Sequence, residues 1–427
     1  MQEMILLFSL MIFLFLAGVP IGFSLLTCST IFLLITDMRP LIVVPQQVVG
    51  GIDSFPLLAI PLFILMGNLM GAAGLSGRLI ALINMLVGHV RGSLGVATVV
   101  SCAMFGALTG SAPATVAAIG SIMIPAMLKQ GYPPRMATGV TAASGALGNI
   151  IPPSIALILY GATMNVSIPK LFIANVAPGI LLCIVFVITV LIQARRLGLG
   201  QATTGNDGVP DQRFQVVLRS LPALTMPVVI LGGIYGGIFT PTEAAAIGVL
   251  FSFLLGICYR ALSPRALWKV LEESVCTSAL VGFILGAAGI FGWILAAARI
   301  PSMLANGLAP MLDSPELYLV ILTVFLLIVG CIMDAGASII ILAPILVPIG
   351  LALGLDPIHL GVVFCVNLVV GFFTPPFGLN LFTAASVSGM PYSVVVRGVL
   401  PYVAAAILAL LAIAFLPMLS LGLTKLM

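Results

Sequence analysis

Charge is the scarcest property of this chain. Only 7% of its 427 residues are Asp, Glu, Lys or Arg, against 61% apolar residues. Soluble domains carry about 25% charged residues, so a water-soluble fold is excluded and a polytopic, all-α membrane protein is left. Histidine is nearly missing too. His89 and His359 lie far apart and suggest no metal site. The seven cysteines form no CxxC pair and no metal-ligand spacing, so they read as small apolar core residues. There is no small-residue cleavage site after the first apolar run, which reads as a retained helix. HExxH, a nucleotide-binding P-loop and a Ser–His–Asp set are all lacking. No enzyme, cofactor or nucleic-acid partner is expected, and active transport by this chain would have to draw on an ion gradient.

What is present is a duplication. GNIIPPSI at 148–155 and GFFTPPFG at 371–378 each place two prolines inside an apolar run. Proline lacks the N–H and clashes with the preceding turn, so each pair breaks a membrane helix. Pro152–Pro153 and Pro375–Pro376 are 223 residues apart, and Pro125/Pro348, Gly131/Gly354, Pro134/Pro357 and Gly148/Gly371 share that offset. Interrupted hydrophobic segments at matching places in two halves point to a transporter's binding site.

In chain order, GVPIG at 18–22 splits the first apolar stretch into spans 3–17 and 20–36. Residues 40–53 read as a surface arm and 55–74 as a third span. Residues 92–128 break at TGSAPAT (109–115) and read as a re-entrant helical hairpin. The first broken helix follows at 136–163 and a span at 171–194. A polar linker at 198–213 separates the halves. The second half repeats the order: spans 215–239 and 241–259, an arm at 263–275, a span at 278–298, a hairpin at 318–349 with its tip at CIMDAGAS (331–338), a broken helix at 358–388 and a last span at 398–419. Thr240, Pro241 and Glu243 have the spacing of a capping box.

Five crossings and one hairpin per half is an odd number of crossings, so the second half is inverted. The charges agree. Arg78, Arg91, Lys129, Arg135, Arg195, Arg196, Arg213, Arg219, Arg260, Arg265, Lys269 and Arg397 fall on one side, and only Arg39, Lys170 and Lys425 on the other. The positive-inside rule makes the first side cytoplasmic and puts both termini outside, in the periplasm. Most acids, among them Glu3, Asp37, Asp53, Asp313, Glu316 and Asp356, also fall outside. The division expected is scaffold at 1–91, 164–317 and 389–427, with a transport domain at 92–163 and 318–388.

Two charges sit outside loops: Asp334, at the second hairpin tip, and Arg299, at the end of the span before it. A charge at bilayer depth costs about 2.5–3.5 kcal/mol and points to function. The competing readings are that the two pair with each other or that Arg299 snorkels. A sodium ion wants oxygens, and the ends of half-helices supply carbonyls. The candidates are Ser111, Thr115, Asn149 and carbonyls near Ile150 and Pro152 in the first half. In the second they are Asp334, Thr374 and carbonyls near Gly371 and Pro375. The competing role for each hydroxyl or amide is helix–helix hydrogen bonding, and that role is expected for Ser101, Thr109, Ser144, Ser338 and Asn380. Glu243 reads as a cap.

GGIFTPTEAAAIG (within 232–248), TGSAPAT, GNIIPPS and GFFTPPFGLNLF together resemble the large membrane subunit of tripartite ATP-independent periplasmic (TRAP) transporters, over essentially the whole chain. That resemblance implies an elevator-type ion-transporter fold in the bacterial inner membrane and sodium-driven import of an organic acid, such as sialic acid or a four-carbon dicarboxylate. It implies a periplasmic binding protein that hands over the substrate and a small four-helix membrane subunit as partners. It carries sodium binding onto Ser111, Asn149, Asp334 and Thr374 and the substrate carboxylate onto Arg299, with Ser111 and Asn149 also near substrate. The alternative is a stand-alone secondary carboxylate carrier, sodium- or proton-coupled, that needs no partner. A channel fits paired hairpins less well.

Overall fold

The computed structural model describes residues 2–37, 39–88, 90–199, 210–300, 302–303, 307 and 314–426. His89, Asp313 and most of the linker (200–209) lie outside the described residues, as do the side chains of Glu3, Arg213 and Arg219. The chain is helical throughout, with no β-strand among the described residues. Nine of its described helices are long and apolar enough to cross a membrane, and a bent pair makes a tenth candidate.

The first half begins with α1 (Gln2–Leu16) and α2 (Ile21–Thr36), separated at Gly18, whose φ of 79° only glycine adopts freely. The arm is α3 (Val43–Ile52), and the third span is α4 (Ala59–Ala72). The stretch before the first hairpin, to which the apolar runs assign no element, is a helix, α5 (Leu75–Val87). Leu75, Leu79, Ile80, Leu82 and Ile83 bury one face, so its signal is amphipathic periodicity rather than an apolar run. Arg78 thus sits on a helix, not in a loop, with its guanidinium carbon 3.2 Å from the centre of the Tyr259 ring. The hairpin is α6 (Ser93–Thr109) and α7 (Ala112–Lys129). The broken helix is α8 (Pro134–Gly145), α9 (Leu147–Ile150) and α10 (Ile155–Met164), bent by 41° across the proline pair. The span α11 (Ile168–Arg196) closes the half.

The second half comprises α12 (Pro210–Tyr235), α13 (Pro241–Cys258), α14 (Pro264–Ala297), the hairpin α15 (Pro315–Ile332) and α16 (Ala335–Ala352), the broken helix α17 (Pro357–Gly371) and α18 (Leu379–Ser388), and α19 (Tyr392–Phe415) with the short α20 (Pro417–Leu421). Both Pro152–Pro153 and Pro375–Pro376 are cis. The capping box starts α13: Glu243 N–H donates to Thr240 Oγ1 at 3.3 Å, and Thr240 N–H donates to Glu243 Oε2 at 2.8 Å. One expectation fails here. The arm at 263–275 and the span at 278–298 are a single 34-residue helix. Ser263 caps it by accepting from Ala266 N–H at 3.2 Å, and after Pro264 no proline interrupts it. The first-half counterpart breaks at Asp53–Ser54 before Phe55–Pro56. At 1.5 Å per residue α14 is about 50 Å long, well beyond the ~30 Å hydrocarbon core.

The two halves interlock by exchange. The first limb of each hairpin packs on its own broken helix, α6 on α8 and α9 and α15 on α17. The second limb of each packs on its own broken helix too, α7 on α8 and α16 on α17, and also on the other half's, α7 on α18 and α16 on α10. The contacts also draw α11 and α19 into this bundle, with α19 lying along α8. A second group, α1–α4, α13 and α14, packs beside it, with α3 crossing α14 where Gly51 meets Gly289.

Candidate functional site

The first hairpin tip turns at Gly110, whose φ is 60°, and α7 begins at Ser111 with Pro113 in its first turn. Thr115 Oγ1 donates back to the Ser111 carbonyl at 2.8 Å and lies 3.0 Å from Thr109 Oγ1. The second tip repeats this at the same offset. Ser338 Oγ donates to the Asp334 carbonyl at 2.8 Å, and Asp334 takes the N-cap position held by Ser111. Its carboxylate oxygen Oδ2 accepts from Gly336 N–H at 2.8 Å and Ala337 N–H at 3.4 Å. Asp334 is therefore a helix cap as well as a charge, and it has no ion pair among the described residues.

Each tip is pressed against a broken helix through bare backbone. A Cβ on Gly106 would lie 2.2 Å from Gly148 Cα, and one on Gly371 would lie 2.4 Å from the Gly330 carbonyl carbon. Side chains on any of these four glycines would force the tip off the break. Between the tips and the second helix group lies a cavity of about 670 Å³. The bundle side contributes Ser111, Asn149, Asp334 and Phe372, and the opposite wall comes from α2 (Pro20–Phe23), α4 (Ile64, Gly67, Asn68) and α14 (Thr277, Leu280, Val281, Phe283, Ile284). Asn149 and Phe372 occupy equivalent positions of the two repeats. A smaller chamber of about 330 Å³ shares Gly67, Asn68, Thr109 and Ala114 and reaches Lys269 and Glu273 on the arm end of α14.

The structure brings Ser111, Asn149 and Asp334 to one cavity. It does not bring the other candidates there. Arg299 ends α14 with a φ of 53°, is exposed, and neither lines the cavity nor pairs with Asp334. Among the described residues, no Lys, Arg or His lines the cavity. Pro152, Gly371, Thr374 and Pro375 lie behind its wall in the breaks themselves. There the Ile150 and Gly371 carbonyls are engaged. Asn175 of α11 donates its amide to the Ile150 carbonyl. Thr374 N–H donates to the Gly371 carbonyl at 3.0 Å, and Thr374 Oγ1 donates to the Val370 carbonyl at 2.9 Å.

Several residues here escaped the sequence. Cys331 is more than an apolar filler: its thiol donates to the Thr374 carbonyl at 3.0 Å, its sulfur accepts from Phe377 N–H at 3.3 Å, and its carbonyl accepts from Gly378 N–H at 2.9 Å. It fastens the second tip to the second break. Asn380 donates to the Ala142 carbonyl at 3.1 Å across the two halves, which is the helix–helix role expected of it. Ser101 and Ser144, expected in that role too, bury hydroxyls without a hydrogen-bond partner among the described residues. Asn68, whose Nδ2 donates to Ser274 Oγ at 2.9 Å, lines both chambers. An asparagine inside an apolar span was its only available signal.

Over residues 8–419 the sequence matches the DctM component of tripartite ATP-independent periplasmic transporters. It is 36% identical to the sialic acid TRAP transporter large permease protein SiaM of Vibrio cholerae, covering 96% of each chain. It is 41% identical to the C4-dicarboxylate TRAP transporter large permease protein DctM of Pseudomonas aeruginosa, covering 87% of this chain and 86% of that one. The fold is similar to that of the Alcanivorax borkumensis YdaH transporter, with a TM-score of 0.61, 15% identity and 86% of each chain covered. Duplicated proline breaks, paired tips on one cavity and likeness along nearly the whole length lead to one assignment: the chain is a multi-pass membrane transporter subunit, not an enzyme, and belongs to the DctM family of TRAP transporter large permeases.

Proposed function

We propose that this subunit imports an organic acid, of the sialic acid or four-carbon dicarboxylate class, in symport with sodium. The observation that carries the reading is the convergence of both hairpin tips, Asn149 and Phe372 on one cavity. The tips are re-entrant in this reading, so the N-terminus of α7 and the capped N-terminus of α16 meet mid-bilayer. Among the described residues Asp334 is the one formal negative charge at the cavity, and it is the natural counter-ion for sodium. Ser111 and Asn149 add oxygens from the first half, and the breaks at Pro152 and at Gly371, Thr374 and Pro375 hold the half-helix ends that face the ions. With no basic side chain at the cavity among the described residues, the acid is held by polar groups such as Asn68 and Ser111 and by the N–H groups of the α7 N-terminus. Arg299 then acts outside the cavity.

Sodium shifts the equilibrium toward the substrate-competent arrangement only by its differential affinity. The hairpin bundle moves against α2, α4 and α14 as an elevator. A small membrane subunit covers the exposed apolar scaffold surface, a periplasmic binding protein delivers the acid, and the whole sits in the inner membrane with both termini periplasmic. The test is uptake into proteoliposomes containing this chain and the small subunit, with binding protein outside. Uptake that needs an inward sodium gradient and the binding protein supports the proposal. Equal uptake without sodium refutes the coupling, and full uptake by this chain alone favours a stand-alone carrier.

A further inference from the structure

A second cavity, of about 440 Å³, lies where the start of α8, the end of α11 and α19 meet. Three arginines line it, one from each helix: Arg135, Arg196 and Arg397. They are brought together by backbone contact, since a Cβ on Gly398 would lie 1.9 Å from the Arg135 carbonyl oxygen. All three are exposed, and none has an ion pair among the described residues. Three like charges held side by side without an acid make an electropositive cavity that attracts an anion. Gln193 adds an amide nitrogen on the same wall that has no hydrogen-bond partner among the described residues. Below the cavity, α11 presents Ile180, Ile184, Ile188 and Ile192 to the outside, each about half exposed, in a row at four-residue spacing that runs up to Gln193 and Arg196. Arginine forks match phosphate oxygens in pairs, and basic pockets between membrane helices hold lipid head groups.

We propose that this cavity binds the phosphate head group of an anionic phospholipid, with an acyl chain lying along the isoleucine row of α11. The apolar row selects a lipid over a free phosphate ion, which would use the arginines alone. The site joins α8, the foot of the first broken helix, to α11 and α19, so the lipid straps the bundle at its arginine-rich end. It lies apart from the hairpin-tip cavity and does not depend on which acid is carried.

The test is native mass spectrometry of the purified full chain, delipidated and titrated with phosphatidylglycerol or phosphatidylcholine. The wild type should keep phosphatidylglycerol preferentially. The double variant Arg135→Gln/Arg397→Gln should bind it about thirtyfold more weakly, from roughly fivefold per arginine. Arg265→Gln, which removes a charge on α14 outside this cavity, should bind as wild type does, and an excess of inorganic phosphate should not displace the lipid. An equal loss in Arg265→Gln would reduce the effect to diffuse attraction. Displacement by phosphate would make this a soluble-anion site, and equal retention of phosphatidylcholine would remove the site altogether.

Discussion

The closeness of Gly106 to Gly148 makes a quantitative expectation for Gly106→Ala. The new methyl carbon would lie 2.2 Å from Gly148 Cα, where ordinary contact starts at 3.4 Å, so α6 and α9 must separate by about 1.2 Å. The obstacle is backbone on a buried helix, not a side chain that can swing aside. Overpacking of this kind costs about 1–3 kcal/mol in stability. The larger effect is on geometry, because Ser111 and Asn149 sit at the ends of the two displaced segments. A shift near 1 Å at a positioned site is worth on the order of 100-fold in rate. Uptake per folded molecule in proteoliposomes should therefore fall roughly 100-fold while the protein still elutes as a single species and melts only a few degrees earlier. Gly282→Ala is the control, since nothing lies within 4 Å of its added carbon. Wild-type uptake by Gly106→Ala, or an equal loss in Gly282→Ala, would refute the claim that bare-backbone contact sets the tip.

Asp334→Asn keeps an acceptor for the Gly336 and Ala337 N–H groups and removes only the charge, so uptake should lose its sodium dependence with little change in melting. Asp356→Ala, which removes the cap on Ile358 and His359 N–H, should instead cost about 1 kcal/mol of stability and leave sodium dependence intact; equal sodium effects in the two variants would show the ion site to be misplaced. Cys331→Ala should slow transport more than Cys331→Ser, because serine keeps a donor for the Thr374 carbonyl and an acceptor for Phe377 N–H; equal kinetics would reduce the thiol to packing. Tyr259→Leu should lower the melting temperature by an amount matching about 0.5–2 kcal/mol through loss of the Arg78 contact, measured in detergent by scanning fluorimetry.

What the sequence displayed is what punctuation can display. Gly18, Pro20, the two proline pairs and the Thr240–Glu243 box act within a few residues of themselves, and the breaks, tips and caps fall where those residues put them. Asp334, Ser111 and Asn149 were legible because a polar group in an apolar run has few other uses. Tertiary partners were not legible. That Asn175 occupies the Ile150 carbonyl, or that Cys331 ties a tip to a break, depends on helices far apart in the chain. The helix α5 was hidden because a search for apolar runs passes over an amphipathic stretch containing Arg78. The placement of Arg299 outside the cavity follows from the path of α14 and its left-handed end, which no local signal announces.

That long α14 has a mechanical consequence. Its capped start at Ser263 and the cavity wall at Thr277–Ile284 belong to one unbroken rod, and α3 is locked across it where Gly51 meets Gly289. A push at the arm arrives undiminished at the α14 face of the wall, which has no joint at which to give. In the proposed elevator, movement across the chamber then falls to the glycine-seated tips on the opposite bank.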